Sequence, residues 1–526
     1  MVEISTDLDP LLTINLHPRH AGHSHTVNIK YGYFIIFLSG LQIIASQTFK
    51  YLYLKKWSQS GSNINIWKKF MAIPVWVIVI IWTLIYMILF PFHIEEWSEN
   101  YITSFKRSGR IAYALIPLNI FLVLRPSNII GLKIGYYLET LNLHKWISRL
   151  IVLASLVHGS GFAYKWILEG TLIEKSFRLL NFLGIGVAFF AFILGIISIR
   201  PLRQKFYQLF YIWHDLTAWL FVVLIAFHAR PGVSWITGIN ILLLVYQIYQ
   251  RVFKAVYIQN IQVIGSKNSS LQIVRIAKPS EFTATYLPGS HIRLTYSNLN
   301  YKSWLLPTHP FTVVSSNDSP NIELIMKPTT KFRLETSLIY SLTGPFPSLS
   351  PQFFDTVQNL NIICGGSGIS FGIPVFKFLS QSTTIRSLNL IWCVRNRRDI
   401  KILEHFFDRI PHNLHIYVTG GTSKDETLFD EEAEELLFES ASSRGETDEI
   451  ELEDLSSSED DKELKNSFGN IRYERPNFDE SFSSFHNAGD VDKQWLIACG
   501  PRELINDSQA WAIRNNVQFF SELYEM

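Results

Sequence analysis

The stretch "HKWISRLIVLASLVH", His144 to His158, is almost wholly apolar yet carries a histidine at each end. The step is fourteen residues, roughly 21 Å along a helix, and after nearly four whole turns both rings point about the same way. Further on, "HDLTAWLFVVLIAFH", His214 to His228, repeats that step inside an equally apolar run. Ionisable groups in hydrocarbon are costly and default to a functional reading.

A single intramembrane histidine is equally well explained by a hydrogen bond across a helix interface. Four at one repeated spacing point further. Neutral imidazole is a good iron ligand, and bis-imidazole ligation of haem needs two histidines at one depth on facing helices. Matched spacing supplies two such pairs, His144 with His214 and His158 with His228. They read as metal ligands of two b-type haems that carry electrons across the bilayer. Zinc fits less well, because its structural sites need four close ligands. With both axial positions filled, the iron offers an acceptor no site, so electrons pass outward. Arg230, just beyond His228, suits a haem propionate, an anionic acceptor or a snorkelling interfacial position.

The whole chain is consistent with this. It has 526 residues, enough for roughly two to four units. Only 17% is charged and 14% is aromatic, with slightly positive mean hydropathy, which indicates a membrane protein with a sizeable soluble part. The net charge of +2 averages a basic first half against an acidic late segment, and no nucleic-acid partner is suggested. Cys364, Cys393 and Cys499 show neither a disulfide framework nor zinc-ligand spacing. The start, acidic and then His-rich through His17, His20, His23 and His25, lacks the layout of a cleaved signal peptide. Those histidines read as a flexible polar tail or a metal-gathering segment.

Apolar runs near span length lie at about 31–49, 72–92, 110–124, 146–168, 180–199, 212–229 and 235–253. Lys50, Lys55, Lys56, Lys68 and Lys69 fill the first loop, and Arg200, Arg203 and Lys205 follow the fifth run. The positive-inside rule makes those loops cytoplasmic. A tail at 1–30 then lies outside, and residues 31–253 form a seven-helix haem domain with its core at about 100–230. Everything after about 254 is cytosolic. His144 and His214 fall near the inner face, His158 and His228 near the outer.

After 254 come short β-rich runs broken by Gly, Pro, Ser and Asn, such as "HIRLTYS" and "NIELIMKP", which predict an antiparallel β-barrel over 254–350. An α/β domain follows over 351–526. In "LNIICGGSGISFGIPVFKFL" an apolar strand turns through Gly365, Gly366, Ser367 and Gly368 into a helix, offering backbone N–H groups to a pyrophosphate. The next strand, "LNLIWCVRN", puts Arg395 where a second strand meets the ribose, which suits NADPH over NADH; a solvated basic turn with Arg397 and Arg398 is the alternative. "KQWLIACGP" ends at Cys499, Gly500 and Pro501, a strand end of the ligand-binding kind. The acidic, Ser-rich segment 424–466 predicts a disordered insertion, in which Ser456, Ser457 and Ser458 precede acidic residues as in phosphorylation sites.

Together the four histidines, "HPFTVVS", "GGSGIS" and "CGP" resemble the ferric reductase and NADPH oxidase transmembrane superfamily, from about residue 100 to the end. The likeness is greatest to small fungal proteins described as probable metalloreductases or yeast NADPH oxidases. It implies a multi-pass helical domain binding two haems, followed by a ferredoxin-reductase-like module with an FAD barrel and an NADPH domain. It also implies haem on His144, His158, His214 and His228, and FAD on His309, Pro310, Phe311 and Thr312, with Lys327 at the flavin pyrophosphate. NADPH would lie on Gly365, Gly366, Ser367, Gly368, Ile369, Ser370, Arg395, Gly500 and Pro501, with Cys499 near the nicotinamide. Three features depart from that pattern: "GPFP" at Gly344–Pro347, Ser316 after the flavin motif's serine, and an ending "FFSELYEM" that leaves Tyr524 or Phe520 to cover the flavin.

The expected activity is transfer of electrons from cytosolic NADPH through FAD and two haems to a ferric or cupric ion beyond the membrane. An oxidase making superfluous any metal site, by reducing O2 to superoxide, is one alternative. A haem-bearing partner whose flavin site has decayed is another. The membrane is that of the endoplasmic reticulum or the plasma membrane, and protein partners are not legible.

Overall fold

The protein is described here by a computed structural model, which covers residues 21–57, 74–92, 97–124, 137–229, 232–265, 269–282, 285–328, 334–420, 471–482 and 493–523. The acidic insertion, the "HPRH" part of the tail, Arg230 and Tyr524 lie outside these. The chain divides into two units, residues 1–250 and 251–526.

Among the described residues the first unit is helical: α1 (Ala21–Trp57), α2 (Val75–Leu89), α3 (Trp97–Phe121), α4 (Tyr137–Leu168), α5 (Leu179–Ile197) and α6 (Tyr207–His228), with α7 (Ser234–Phe253) ending just inside the second unit. Five of these, all but α2 and α3, are long and apolar enough to cross a membrane. The polarity of α7 is inside-out: Asn240 is fully buried whereas Leu242 is 68% exposed. In water that would be unfavourable, but in lipid it leaves apolar surface to the acyl chains and polar groups to one another.

Two of the seven expected runs differ from their helices. α2 has 15 residues, short for a span. The run expected at 110–124 belongs to a helix that begins at Trp97. Its polar first half, which includes Lys106 and Arg107, lacks the apolar run of a span, yet Arg107 is only 1% exposed. Arg107 caps α2: Nη1 donates to the carbonyls of Leu89 (2.7 Å) and Phe92 (2.6 Å), and the guanidinium stacks 4.1 Å from the Tyr31 ring centroid. A cation satisfying last-turn carbonyls also complements the negative end of the helix dipole. Tyr86 Oη and Ser108 Oγ bond at 2.8 Å, and Ser108 Oγ donates to the Ala154 carbonyl (2.7 Å), tying α2, α3 and α4 together.

The second unit starts with antiparallel strands: β1 (Val256–Ile258), β2 (Gln262–Ile264), β3 (Gln272–Ala277), β4 (His291–Tyr296), β5 (His309–Thr312), β6 (Asn321–Met326) and β7 (Tyr340–Phe346). They form sheets β1-β7-β4-β5 and β2-β3-β6, joined by a bridge between Val313 and Leu324. Alternating residues such as Ile292, Leu294, Ile322 and Leu324 fill the space between the two sheets.

Next comes a six-stranded parallel sheet of β8 (Asn359–Gly365), β9 (Ser387–Val394), β10 (Leu414–Val418), β11 (Ile471–Arg472), β12 (Gln494–Gly500) and β13 (Gln518–Leu523), in the order β11-β10-β9-β8-β12-β13. α8 (Ile369–Ser380) and α9 (Arg502–Arg514) pack on it. β8 is buried along its whole length, as a central parallel strand with both faces covered must be. The two lobes share a core, since barrel residues Leu271, Ile273 and Ile325 belong to the same cluster as Phe371, Phe376 and Trp392. Asp399, nearly fully buried, fastens them by accepting from Ser269 Oγ (2.8 Å), the Ser270 N–H (2.7 Å) and Ser270 Oγ (2.7 Å).

Candidate functional site

In the helical unit the four histidines stand in two close pairs. The ring centroids of His144 and His214 lie 6.0 Å apart, and so do those of His158 and His228. The ring planes meet at 51° in the first pair and 79° in the second.

Three of the four rings are oriented by backbone carbonyls. His158 Nδ1 lies 2.8 Å from the Phe105 oxygen, His228 Nδ1 2.7 Å from that of Leu180, and His144 Nδ1 3.0 Å from that of Asn119. A carbonyl only accepts, so each Nδ1 carries the proton and each Nε2 keeps its lone pair. Asn119 stands in the last turn of α3, where Val123 N–H bonds Ile120 instead, so its carbonyl needs a donor.

The other two carbonyls lie within helices and are exposed by glycines. Gly109 follows Phe105 by four residues, and Gly184 follows Leu180 by four. A Cβ on Gly109 would stand 2.8 Å from His158 Cγ and Nδ1, and one on Gly184 would stand 2.5 Å from His228 Cε1. Each glycine thus opens a notch that seats an imidazole. Sequence reading missed both, although a glycine within an apolar helix is the signal.

These donors fit a haem. Iron about 2 Å from each of two opposed imidazole nitrogens sets the ring centroids about 6 Å apart. Arg110, next to Gly109, has a buried Nη1 without a hydrogen-bond partner among the described residues, as an anionic propionate requires. No group of three or more His, Cys, Asp or Glu with metal-ligand proximity occurs among the described residues.

In the second unit two expected motifs meet. β8 and β12 are neighbours at the point where strand order reverses, so both following turns lie at the carboxyl ends of strands flanking the switch point. A Cβ on Gly368 would stand 2.5 Å from the Cys499 carbonyl oxygen, and one on Gly500 would stand 2.9 Å from the Gly365 nitrogen. Backbone packs on backbone there, which only glycine permits. Gly366 has φ +53° and open space where a Cβ would be, while its carbonyl accepts from Trp392 Nε1 at 2.9 Å. This is a cradle of bare backbone ahead of α8, suited to a pyrophosphate. Ile369 and Ser370, in the first turn of α8, are buried, and Pro501 abuts Gly365. Arg395 is exposed just beyond β9.

Cys499 is fully buried in register with Cys364, and burial pushes its thiol well above the usual range. Across from it on β13 sits Glu522, a residue the sequence reading passed over. Burial pushes that carboxyl up to about 7, against the opposing effect of the Ser348 hydroxyl, which donates to it at 3.1 Å.

On the barrel, β5 pairs with β4 so that His309 faces Leu294, Pro310 faces Arg293, Phe311 faces Ile292 and Thr312 faces His291. Phe311 and Thr312 are buried, and His309 and Pro310 are half-buried. Burial, reinforced by the Arg293 guanidinium, pushes His309 down to about 4. Arg293 itself donates to the Thr308 hydroxyl and carbonyl, both at 2.5 Å. Lys327 is exposed just past β6. In the altered flavin loop Gly344 takes φ +124° before a cis bond to Pro345. Phe520 stacks 5.9 Å from Phe371, so its ring packs on the core.

Three family models match the chain: "Ferric reductase like transmembrane component" over residues 108–225, "FAD-binding domain" over 253–343 and "Ferric reductase NAD binding domain" over 357–513. Similar curated proteins include one named probable metalloreductase AIM14 from Scheffersomyces stipitis, 48% identical over 97% of this chain and 98% of that one. Proteins of the same name from Debaryomyces hansenii and Candida tropicalis are 44% and 40% identical, over 97% and 99% of this chain and 98% and 100% of theirs.

Proposed function

The chain belongs to the ferric-reductase-like family of probable metalloreductases, integral membrane oxidoreductases with FAD- and NAD-binding domains, and from this premise we propose that it reduces a metal ion, ferric or cupric, beyond the membrane with electrons from cytosolic NADPH. Bound FAD would supply the conversion of an electron pair from NADPH into single electrons, and two b-type haems would supply a path for them through the bilayer. The observation that carries the reading is the pair of imidazole couples with equal ring spacing.

His144 and His214 would hold the inner haem, and His158 and His228 the outer. The Nδ1 contacts of His144, His158 and His228 fix those three rings and leave each Nε2 free to serve as a ligand, the outer-shell orientation that metal-bound imidazoles generally need. The buried Nη1 of Arg110, without a partner among the described residues, would serve a propionate of the outer haem.

His309, Pro310, Phe311 and Thr312 position FAD on β5, with Lys327 at its pyrophosphate, and neutral His309 donates or accepts without adding charge. The backbone of Gly365 to Gly368, with Ile369 and Ser370 opening α8, takes the NADPH pyrophosphate. Arg395 meets the 2′-phosphate, and Gly500 and Pro501 wall the nicotinamide. Cys499 lies under that wall as a protonated, uncharged thiol.

The test is NADPH oxidation by the purified, FAD-supplemented protein, with a ferric chelate under anaerobic conditions and with oxygen alone. Iron reduction that exceeds superoxide formation, and that His158→Ala abolishes, is expected. Superoxide in excess would make the protein an oxidase. Bound haem without NADPH oxidation would make it a haem-bearing partner.

A further inference from the structure

The loop after β4 exposes apolar side chains unusually for a soluble surface. Leu299 is 95% exposed and Tyr301 69%, and Trp304 and Leu305 in the short helical turn Lys302–Leu305 remain open to solvent. The loop is nonetheless well held. Asn298 Nδ2 donates to the Arg251 carbonyl (3.1 Å) and to Tyr257 Oη (3.2 Å), and Trp304 Nε1 donates to the Asn298 carbonyl (2.9 Å). The Arg251 guanidinium lies 5.2 Å from the Trp304 ring centroid.

Arg251 is in the last turn of α7, one of the helices long and apolar enough to cross a membrane, so these bonds hold the loop at the end of a candidate span. Phe253, which closes that helix, is itself 71% exposed. Charge follows the same pattern. Arg251, Lys254 and Lys302 are the charged residues of the segments 251–258 and 296–305, which contain no Asp or Glu.

We propose that the loop Asn298–Leu305 inserts Leu299 and Tyr301 into the headgroup region of the leaflet that α7 leaves, with the exposed Lys254 and Lys302 facing anionic lipid phosphates. Three features favour a lipid surface over a protein partner: continuity with the span, Trp and Tyr at interface depth, and basic residues with no acidic ones among them. Apolar side chains that would each expose surface to water are buried by insertion instead. The flavin barrel then has a second attachment to the bilayer besides the chain itself. This inference rests on α7 being a span and not on the identity of the acceptor.

The test uses the full-length protein in nanodiscs of phosphatidylcholine, with and without phosphatidylserine. A nitroxide is placed at Leu299→Cys and, as an aqueous control, at exposed Arg514→Cys, with the unsubstituted protein as the labelling blank for the native cysteines. Collision with oxygen exceeding collision with a water-soluble nickel chelate at position 299, and the reverse at 514, is the expected result. Lys302→Glu should lower the oxygen preference at 299 in the phosphatidylserine discs. Equal, nickel-dominated accessibility at both positions would overturn the proposal, whether the loop then faces water or another protein. Haem content equal to that of the unsubstituted protein verifies that each variant has folded.

Discussion

The Nδ1 of His158 lies 2.8 Å from the carbonyl oxygen of Phe105, and the Cβ missing at Gly109, one turn on, is what lets the ring approach. The same relation recurs between His228, Leu180 and Gly184. Both rings of the second pair are therefore seated by one device on two different helices.

Bulk at either notch should displace the ring. Gly109→Val and Gly184→Val are expected to lose one of two haems per chain, measured as pyridine haemochrome against protein, and to leave the His144–His214 haem in place. Gly40→Val, on α1 with nothing within 4 Å of its Cβ, should retain both. Loss of both haems from either notch variant would show that the pairs are not independent.

The ring planes distinguish the two sites spectroscopically. On the proposed bis-imidazole ligation, near-perpendicular rings at 79° should give a haem on His158 and His228 a highly anisotropic low-spin EPR signal, and the 51° pair a more rhombic one. His228→Ala should remove the first signal and spare the second.

Gly368 and Gly500 hold two turns in backbone contact. Gly368→Ala puts a methyl 2.5 Å from the Cys499 carbonyl and must part them. NADPH turnover is expected to fall about 10²-fold, the scale of a misplacement near 1 Å. Haem content and dithionite reduction of the haems should be unchanged.

Glu522 gives the flavin module a pH-dependent stability. Its carboxyl is raised from the ordinary 4.5 to about 7, so between those values the folded state holds a proton the unfolded state has lost. Stability from this group is fully present below about 4.5, falls as pH rises and is lost above about 7, a change on the order of 3 kcal/mol. Thermal unfolding followed by pH should show Glu522→Gln overtaking the unsubstituted protein as pH climbs through that window. Parallel curves would refute it. His309, lowered to about 4, changes in the opposite direction in both proteins and cancels in the comparison.

Much of this was legible in order along the chain. A fourteen-residue repeat of histidines is a helical statement, because 3.6 residues per turn returns both rings to one face. The glycine turn after an apolar strand, and a late strand ending in "CGP", likewise carry their meaning locally. Expectation and structure parted where a residue's partner is distant. Arg107 precedes the apolar run expected at 110–124, yet it is buried because its guanidinium donates to three carbonyls at the end of another helix. Glu522 drew no attention in a C-terminal strand, since only pairing with β12 sets it against Cys499.

By itself, then, the sequence determined the order of parts and which residue types face one another across a helix or strand period: an apolar helical half with paired histidines, a β-rich segment and a glycine-turned α/β end. Periodicity and local turn chemistry are properties of neighbours in the chain. The tertiary structure alone decided which carbonyl orients each imidazole, which glycines are notches, and that two turns separated by most of the α/β domain interlock. Those depend on backbone from another element coming within hydrogen-bond or van der Waals distance, and no local pattern encodes that distance.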